Sequence, residues 1–240
     1  MTAPQVVVFA NPDLLAAATA ARLITRLTDI QAERGSASLV LTGGRTGTAV
    51  LAHLLAAPAK DAVDWSRIDY YWGDERFLPA GHPDRNETQA REAFLDHVNA
   101  DPARIHPMEP SDGRFGDDPD QAAAAYAELM PDDFDVFLLG VGEEGHTASI
   151  FPSSPAVFET SKAVVAVRDC PKPPPTRVSL TLPAIRTADE VWLLTTGDSK
   201  ADAVASALGG ATEVEIPAAG ARGVSRTLWL LDRTAAAKLS

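Results

Sequence analysis

An apolar run from Phe134 to Leu139 stops at Gly140, continues through Val141, Gly142, Glu143, Glu144 and Gly145, and delivers His146. Imidazole can take and return a proton near neutral pH, so this histidine is the first candidate for chemistry. A short apolar run closed by glycine reads as a buried strand of a parallel sheet. Ligands of such sheets bind beyond the carboxyl ends of the strands, which is where His146 falls. Gly140, Gly142 and Gly145 also match the G-x-G-x-x-G dinucleotide spacing. That fingerprint must open a long helix, and Pro152 leaves only about six residues for one. A structural histidine bonded to its neighbours is the plainer alternative. Its position directly after a glycine loop favours chemistry.

Three further stretches carry groups that suit an anionic substrate. Thr42, Gly43, Gly44, Arg45, Thr46, Gly47 and Thr48 join the strand Ala37–Leu41 to a helix expected over Ala49–Ala57. Strand, glycine loop and helix N-terminus make an anion site, because free N–H groups and the helix dipole both favour negative charge. The G-K-[ST] ending of a nucleotide-binding P-loop is absent, and a plain tight turn is the alternative. The strand Ile68–Trp72 ends in Gly73, Asp74, Glu75 and Arg76, read as a loop bearing acid/base and anion-clamping groups. Arg177 follows a stretch with four prolines between Pro171 and Pro175, expected to be a stiff polyproline loop. Lys200 lies in the first turn of a helix expected over Gly197–Leu208. A cation there opposes the helix dipole unless a bound anion compensates.

These groups need a scaffold. Further strands are expected at Val6–Ala10, buried, and at Ala163–Val167, Val178–Leu182, Glu190–Thr195 and Thr227–Leu231. Helices are expected from Leu14 to about Arg34, stopped by Gly35, and near Thr88–Val98 and Gln121–Met130. Leu14, Leu15, Ala18, Ala21, Ile24 and Leu27 recur at helical spacing and read as core. The alternation of strands and helices implies an α/β fold with a mostly parallel, doubly wound sheet flanked by helices. Its loops at Gly43, Asp74 and His146 should share one edge. The 240 residues suit one domain, with room for a small subdomain in the C-terminal part.

Composition narrows the partners. A net charge of −12 argues against nucleic acid and anionic membranes, so cations for an anionic substrate must be gathered locally. The five histidines and the single Cys170 show no metal-ligand spacing, and one cysteine makes no internal disulfide. The N-terminal residues have no basic start or apolar signal core, and no 18-residue apolar run occurs, which leads to the expectation of a soluble cytoplasmic protein.

Four segments, LTGGRTGTAVL (41–51), YYWGDERFLPAGHPDRN (70–86), FLLGVGEEGHTASIFP (137–152) and PPPTRVSLTLPAI (173–185), resemble in order the 6-phosphogluconolactonase family. The resemblance runs along nearly the whole chain. It implies a Rossmann-like fold shared with glucosamine-6-phosphate deaminases and ribose-5-phosphate isomerases. It also implies hydrolysis of 6-phosphoglucono-1,5-lactone to 6-phosphogluconate in the oxidative pentose phosphate pathway, without metal or cofactor, by a monomer or weak homodimer. In that frame His146 is the general base and Asp74 an active-site carboxylate. Gly43, Gly44, Arg45 and Thr46 form the phosphate loop, Arg76 and Arg177 are phosphate ligands, and Lys200 is a further substrate-binding cation.

Three positions depart from the family pattern: Glu144 for Asp, Arg45 for Ser, and Arg85 for Ser before Asn86. Sequence leaves open whether Asp74 or Glu144 orients His146. The rival enzyme class is a sugar-phosphate isomerase or deaminase. The deaminase continues its glycine–histidine loop with an Asn-Glu-Pro acid, whereas Ser149, Ile150, Phe151 and Pro152 carry no glutamate. A non-catalytic sugar-phosphate sensor would keep the phosphate loop and could lose His146.

Overall fold

The computed structural model describes residues 3–239, so Met1 and Thr2 of the N-terminal stretch weighed above lie outside it. Six parallel strands form the main sheet: β1 (Gln5–Phe9), β2 (Ala37–Leu41), β3 (Ile68–Trp72), β5 (Val136–Gly140), β8 (Glu190–Thr195) and β9 (Arg226–Asp232), in the order β1-β9-β8-β5-β2-β3. Every neighbouring pair runs parallel, so the carboxyl ends of β2, β3 and β5 share one edge as expected. The chain moves outward from β2 to β3, then returns to lay β5 on the other side of β2. That reversal opens a crevice at the carboxyl ends of β2 and β5, the position at which open sheets bind ligands.

Both faces of the sheet are covered, which explains why its central strands are apolar without interruption. Val136 and Leu138 of β5 face one core, with Leu15, Leu23 and Leu27 of α1 (Pro12–Arg34) and Val50 and Leu54 of α2 (Gly44–Ala56). Phe137 and Leu139 face the other, packed with Tyr126 of α4 (Pro119–Ala127), Ile185 of α5 (Leu182–Ile185), Val204 of α6 (Ala201–Leu208) and Ala218 of α7 (Pro217–Gly220). Helix α3 (Asn86–Ala93) packs on α2. Among the described residues no helix is long and apolar enough to cross a membrane.

A second sheet of three antiparallel strands, in the order β4-β7-β6, lies on the latter side and was not foreseen as a separate layer. It joins β4 (Asp74–Arg76), β6 (Val164–Val167) and β7 (Arg177–Leu180). The stretch Asp74–Arg76, expected to be loop, is therefore a strand. Asp74 pairs with Ser179 and Arg76 with Arg177, a register that no local pattern reveals. The second sheet draws on residues 74–180, while β9 lies inside the main sheet between β1 and β8.

Other expectations shift for local reasons. β1 is an edge strand, and Val6 and Val8 are 41% and 49% exposed rather than buried. Asn11 caps α1 by accepting from the Leu14 N–H at 2.8 Å, and Gly35 ends it at φ +80°. The buried stripe of α1 includes Leu15, Leu23, Leu27 and Ile30, leaving Leu14 and Ala21 exposed. Helix α2 begins at Gly44, five residues earlier than expected, so Arg45 and Thr46 sit in its first turn. The helix near Thr88–Val98 is α3 followed by a tight turn at Leu95–His97, and the helix expected over Gln121–Met130 shifts to the earlier span of α4.

Candidate active site

The crevice beyond β2 and β5 is a cleft of about 290 Å³. The ends of β2, β4 and β5, the start of α2, the proline loop and the turn before α6 all reach it. Every site residue expected from sequence lines it: Gly43, Gly44, Arg45, Thr46, Asp74, Arg76, His146, Arg177 and Lys200. Lys172 and Asn86 join them, neither having been singled out beforehand.

The loop after β5 is a tight turn made for the histidine. The Gly142 N–H donates to the His146 carbonyl at 2.9 Å, and the Gly145 N–H to the Gly142 carbonyl at 3.1 Å. A Cβ on Gly142 would stand 1.9 Å from His146 Nδ1, so only glycine lets the ring fold back over the loop. No helix follows Gly145. Thr147 and Ile150 bridge instead, which removes the helix a dinucleotide site requires. The imidazole stacks on Phe151 with centroids 4.4 Å apart.

Nδ1 of His146 lies 3.1 Å from Oε1 of Glu144, though the approach is too oblique for a well-formed hydrogen bond. Glu144, one carbon longer than the usual Asp, is thus the carboxylate beside the ring. Among the described residues Nε2 has no protein hydrogen-bond partner, so this nitrogen is available to the cleft. Burial holds the pKa of His146 below the ordinary imidazole value, a shift that Glu144 opposes, Lys172 reinforces and Asp74 opposes. Burial therefore favours the neutral form, which can accept a proton.

Asp74 does other work. Its Oδ2 accepts from Ser149 Oγ at 2.6 Å and lies 3.8 Å from Nη1 of Arg177, so it reaches His146 only through its charge. Glu75 is turned into the protein and accepts the N–H groups of Arg76, Asn86 and Glu87 at 2.8, 2.6 and 2.8 Å. Two of those N–H groups open α3 and have no intrahelical acceptor. Burial pushes the Glu75 carboxyl up to about 7, with Arg85, 3.8 Å away, and the three N–H groups pulling it down. Arg85, the third departure from the family pattern, is 1% exposed and donates to the Leu78 and Met108 carbonyls. Asn86 then links three parts of the site: Nδ2 donates to the Asp74 carbonyl at 2.8 Å, and Oδ1 accepts from Arg76 Nη1 at 2.8 Å. Oδ1 also packs so tightly on Gly43 that a Cβ there would be 1.8 Å away.

On the opposite wall, Arg45 projects from the first turn of α2 and makes no hydrogen bond or ion pair among the described residues. Thr46 Oγ1 and Thr196 Oγ1 are 3.0 Å apart. Lys200 closes the turn Asp198–Lys200 before α6, and Glu143 faces its Nζ at 3.1 Å, supplying an anion for the misplaced cation. The proline loop is a series of bends rather than an extended polyproline stretch. Arg177 holds it: Nε donates to the Pro174 carbonyl at 3.2 Å, and Nη2 to the Lys172 and Pro173 carbonyls at 3.3 and 3.2 Å. Five cations, Arg45, Arg76, Lys172, Arg177 and Lys200, thus surround one cleft of a strongly acidic chain. The only early signal for Lys172 was a charged residue inside a proline run.

Residues 10–229 match the family model described as glucosamine-6-phosphate isomerases/6-phosphogluconolactonase. The chain belongs to this family. A 6-phosphogluconolactonase of Streptomyces coelicolor is 58% identical over 98% of the chain and 95% of its own length. One from Mycobacterium tuberculosis is 52% identical, with 97% of each covered. Among solved structures, the 6-phosphogluconolactonase of Trypanosoma brucei superposes with a TM-score of 0.84 at 28% identity, covering both chains completely. A monomeric glucosamine-6-phosphate deaminase superposes at 0.81 with 22% identity, over 97% of this chain and 99% of its own, a likeness of fold. After the histidine, Ser149, Ile150 and Phe151 are all buried, and Phe151 backs the ring.

Proposed function

We propose that the chain hydrolyses 6-phospho-D-glucono-1,5-lactone to 6-phospho-D-gluconate, with His146 as the general base. The observation that carries this reading is a buried imidazole with Nδ1 against Glu144 and Nε2 available to a cleft ringed by cations. Nε2 would take a proton from the water that attacks C1, and the imidazolium would return it to the departing ring oxygen. A lactone is an activated ester, so a positioned base suffices without a covalent intermediate. Such a base contributes about 10²–10⁴-fold. Glu144 stabilises the transient imidazolium by its charge, and Asp74 adds to the same field from further away.

The phosphate would lie at the N-terminus of α2, on the N–H groups around Gly43, Gly44, Arg45 and Thr46, with Arg76 and Lys200 beside it. Arg177, paired with Arg76 across β4 and β7 and already committed to three loop carbonyls, contributes its charge. The phosphate is remote from C1, and its task is to place that carbon beside His146. A deaminase reading is disfavoured by the apolar backing of Phe151 where an acid would be needed.

The deciding experiment is His146→Ala assayed with freshly generated lactone, spontaneous hydrolysis being subtracted. Turnover should fall about 10²–10⁴-fold while the melting temperature is kept. A folded variant with near-wild-type kcat would move the base elsewhere, Asp74 being the next candidate.

A further inference from the structure

Glu144 divides its two oxygens. Oε1 faces Nδ1 of His146 at 3.1 Å, and Oε2 accepts from Nζ of Lys172 at 2.9 Å. Lys172 comes from a different part of the chain, the proline loop, and that loop is pinned on several sides. The Cys170 N–H donates to the Pro175 carbonyl at 2.9 Å, the Phe77 N–H to the Thr176 carbonyl at 3.1 Å, and Arg177 binds the Lys172, Pro173 and Pro174 carbonyls. The backbone that bears Lys172 is therefore held beside the histidine loop, and the ammonium, though part-exposed, reaches the carboxylate.

We propose that Lys172 is a positioning residue for the base: by gripping Oε2 it fixes Oε1 of Glu144 at Nδ1 of His146, and so keeps Nε2 aimed at the substrate. The proposal rests on His146 being the base. A long flexible carboxylate at the mouth of a cleft has several rotamers available, and a single contact to an imidazole restrains it weakly. A second contact to a cation on a rigid loop removes that freedom. This also accounts for the tolerance of Glu where the family usually has Asp, because the longer arm is anchored at both oxygens.

Lys172 acts on the ring in two opposing senses, directly as a cation and through Glu144. The charged groups around the ring are Glu144 on its own loop, Lys172 on the proline loop and Asp74 on β4, the last facing Arg177 of β7. Glu143, two residues before Gly145, is engaged with Lys200 instead. Burial opposes the ionisation of Glu144, but the Lys172 hydrogen bond, a backbone N–H and the nearby charges keep it below the ordinary carboxylate value. Removing the ammonium deprives the ring of a repelling cation, which makes His146 easier to protonate, and releases Glu144 from Nδ1, which makes it harder, so the two changes oppose each other.

The test is plateau kcat and the pH dependence of kcat/KM for the wild type, Lys172→Met, Lys172→Arg and Glu144→Gln. Lys172→Met should lower plateau kcat several-fold with little net movement of the acid limb, and Lys172→Arg should restore kcat. In a Glu144→Gln background the loss caused by Lys172→Met should shrink, since the grip it removes acts on that carboxylate. An unchanged plateau kcat in Lys172→Met overturns the proposal, as does an undiminished loss in the Glu144→Gln background. Failure of the base assignment would look different: His146→Ala would keep its turnover, whatever Lys172 does.

Discussion

A methyl group at position 142 would test the placement of the base without touching any charged group. On the Gly142 backbone the new Cβ would lie 1.9 Å from Nδ1 and 2.0 Å from Cε1 of His146, where ordinary contact begins near 3.4 Å. The ring must retreat by about 1.5 Å, against the stacked Phe151 on one side and Glu144 on another. Displacing a reacting group by about 1 Å costs on the order of 10²-fold, and loss of the base altogether about 10²–10⁴-fold. Gly142→Ala should therefore lower kcat by about 10²-fold or more, with KM changed much less because the proposed phosphate site is on α2. An off-rotamer ring costs about 1 kcal/mol, roughly 2–4 °C in melting temperature for a chain of this size. Gly140→Ala is the comparison: its methyl would meet its nearest atom, Thr42 Oγ1, at 3.8 Å, so it should lose far less turnover. The readout is kcat from initial lactone consumption after subtraction of the uncatalysed rate. A Gly142→Ala enzyme within threefold of wild type would refute the claim that this loop fixes the ring.

Three other outcomes follow from the same geometry. Because burial lowers the pKa of His146, the acid limb of kcat/KM should lie below the ordinary imidazole value of about 6.5; an inflection above it would contradict the buried, neutral ring. The linked effect on stability has the same origin: the contribution of His146 is present above pH 6.5 and is lost as pH falls through its depressed folded value. Asn86→Ala removes two hydrogen bonds, one to a guanidinium, worth about 2–3 kcal/mol together. The melting temperature should drop by roughly 4–12 °C, and KM should rise more than kcat falls because the Arg76 guanidinium loses one of its two tethers and keeps the Asp84 carbonyl. An unchanged KM would show that Arg76 needs no such support.

Much of this site was legible in the chain because its signals are local. An apolar run closed by glycine marks where a parallel strand ends, and three such endings locate Gly43, Asp74 and His146 on one edge. Glycines before a helix mark an anion site, and the start of α2 five residues early strengthens that reading by bringing Arg45 and Thr46 into its first turn. The errors of phase along α1 and the edge position of β1 have a common cause. Apolar spacing identifies a face, but neighbours elsewhere in the chain decide how much of it is covered.

What periodicity could not supply is the pairing of side chains far apart in sequence. Whether Asp74 or Glu144 serves His146 depends on β4 joining β7, which directs Asp74 to Ser149, 75 residues away. Lys172 meets Glu144 across 28 residues only because Arg177 gathers the proline loop over the crevice. Asn86 becomes a hinge pin between Gly43, Asp74 and Arg76 because Glu75 turns inward to hold the start of α3. By itself the sequence determined which groups are present and at which strand ends they emerge, since φ/ψ preferences and side-chain period act over a few residues. Tertiary structure decided which of those groups touch, because contact over distances of 28 to 75 residues depends on how the two sheets and their loops pack.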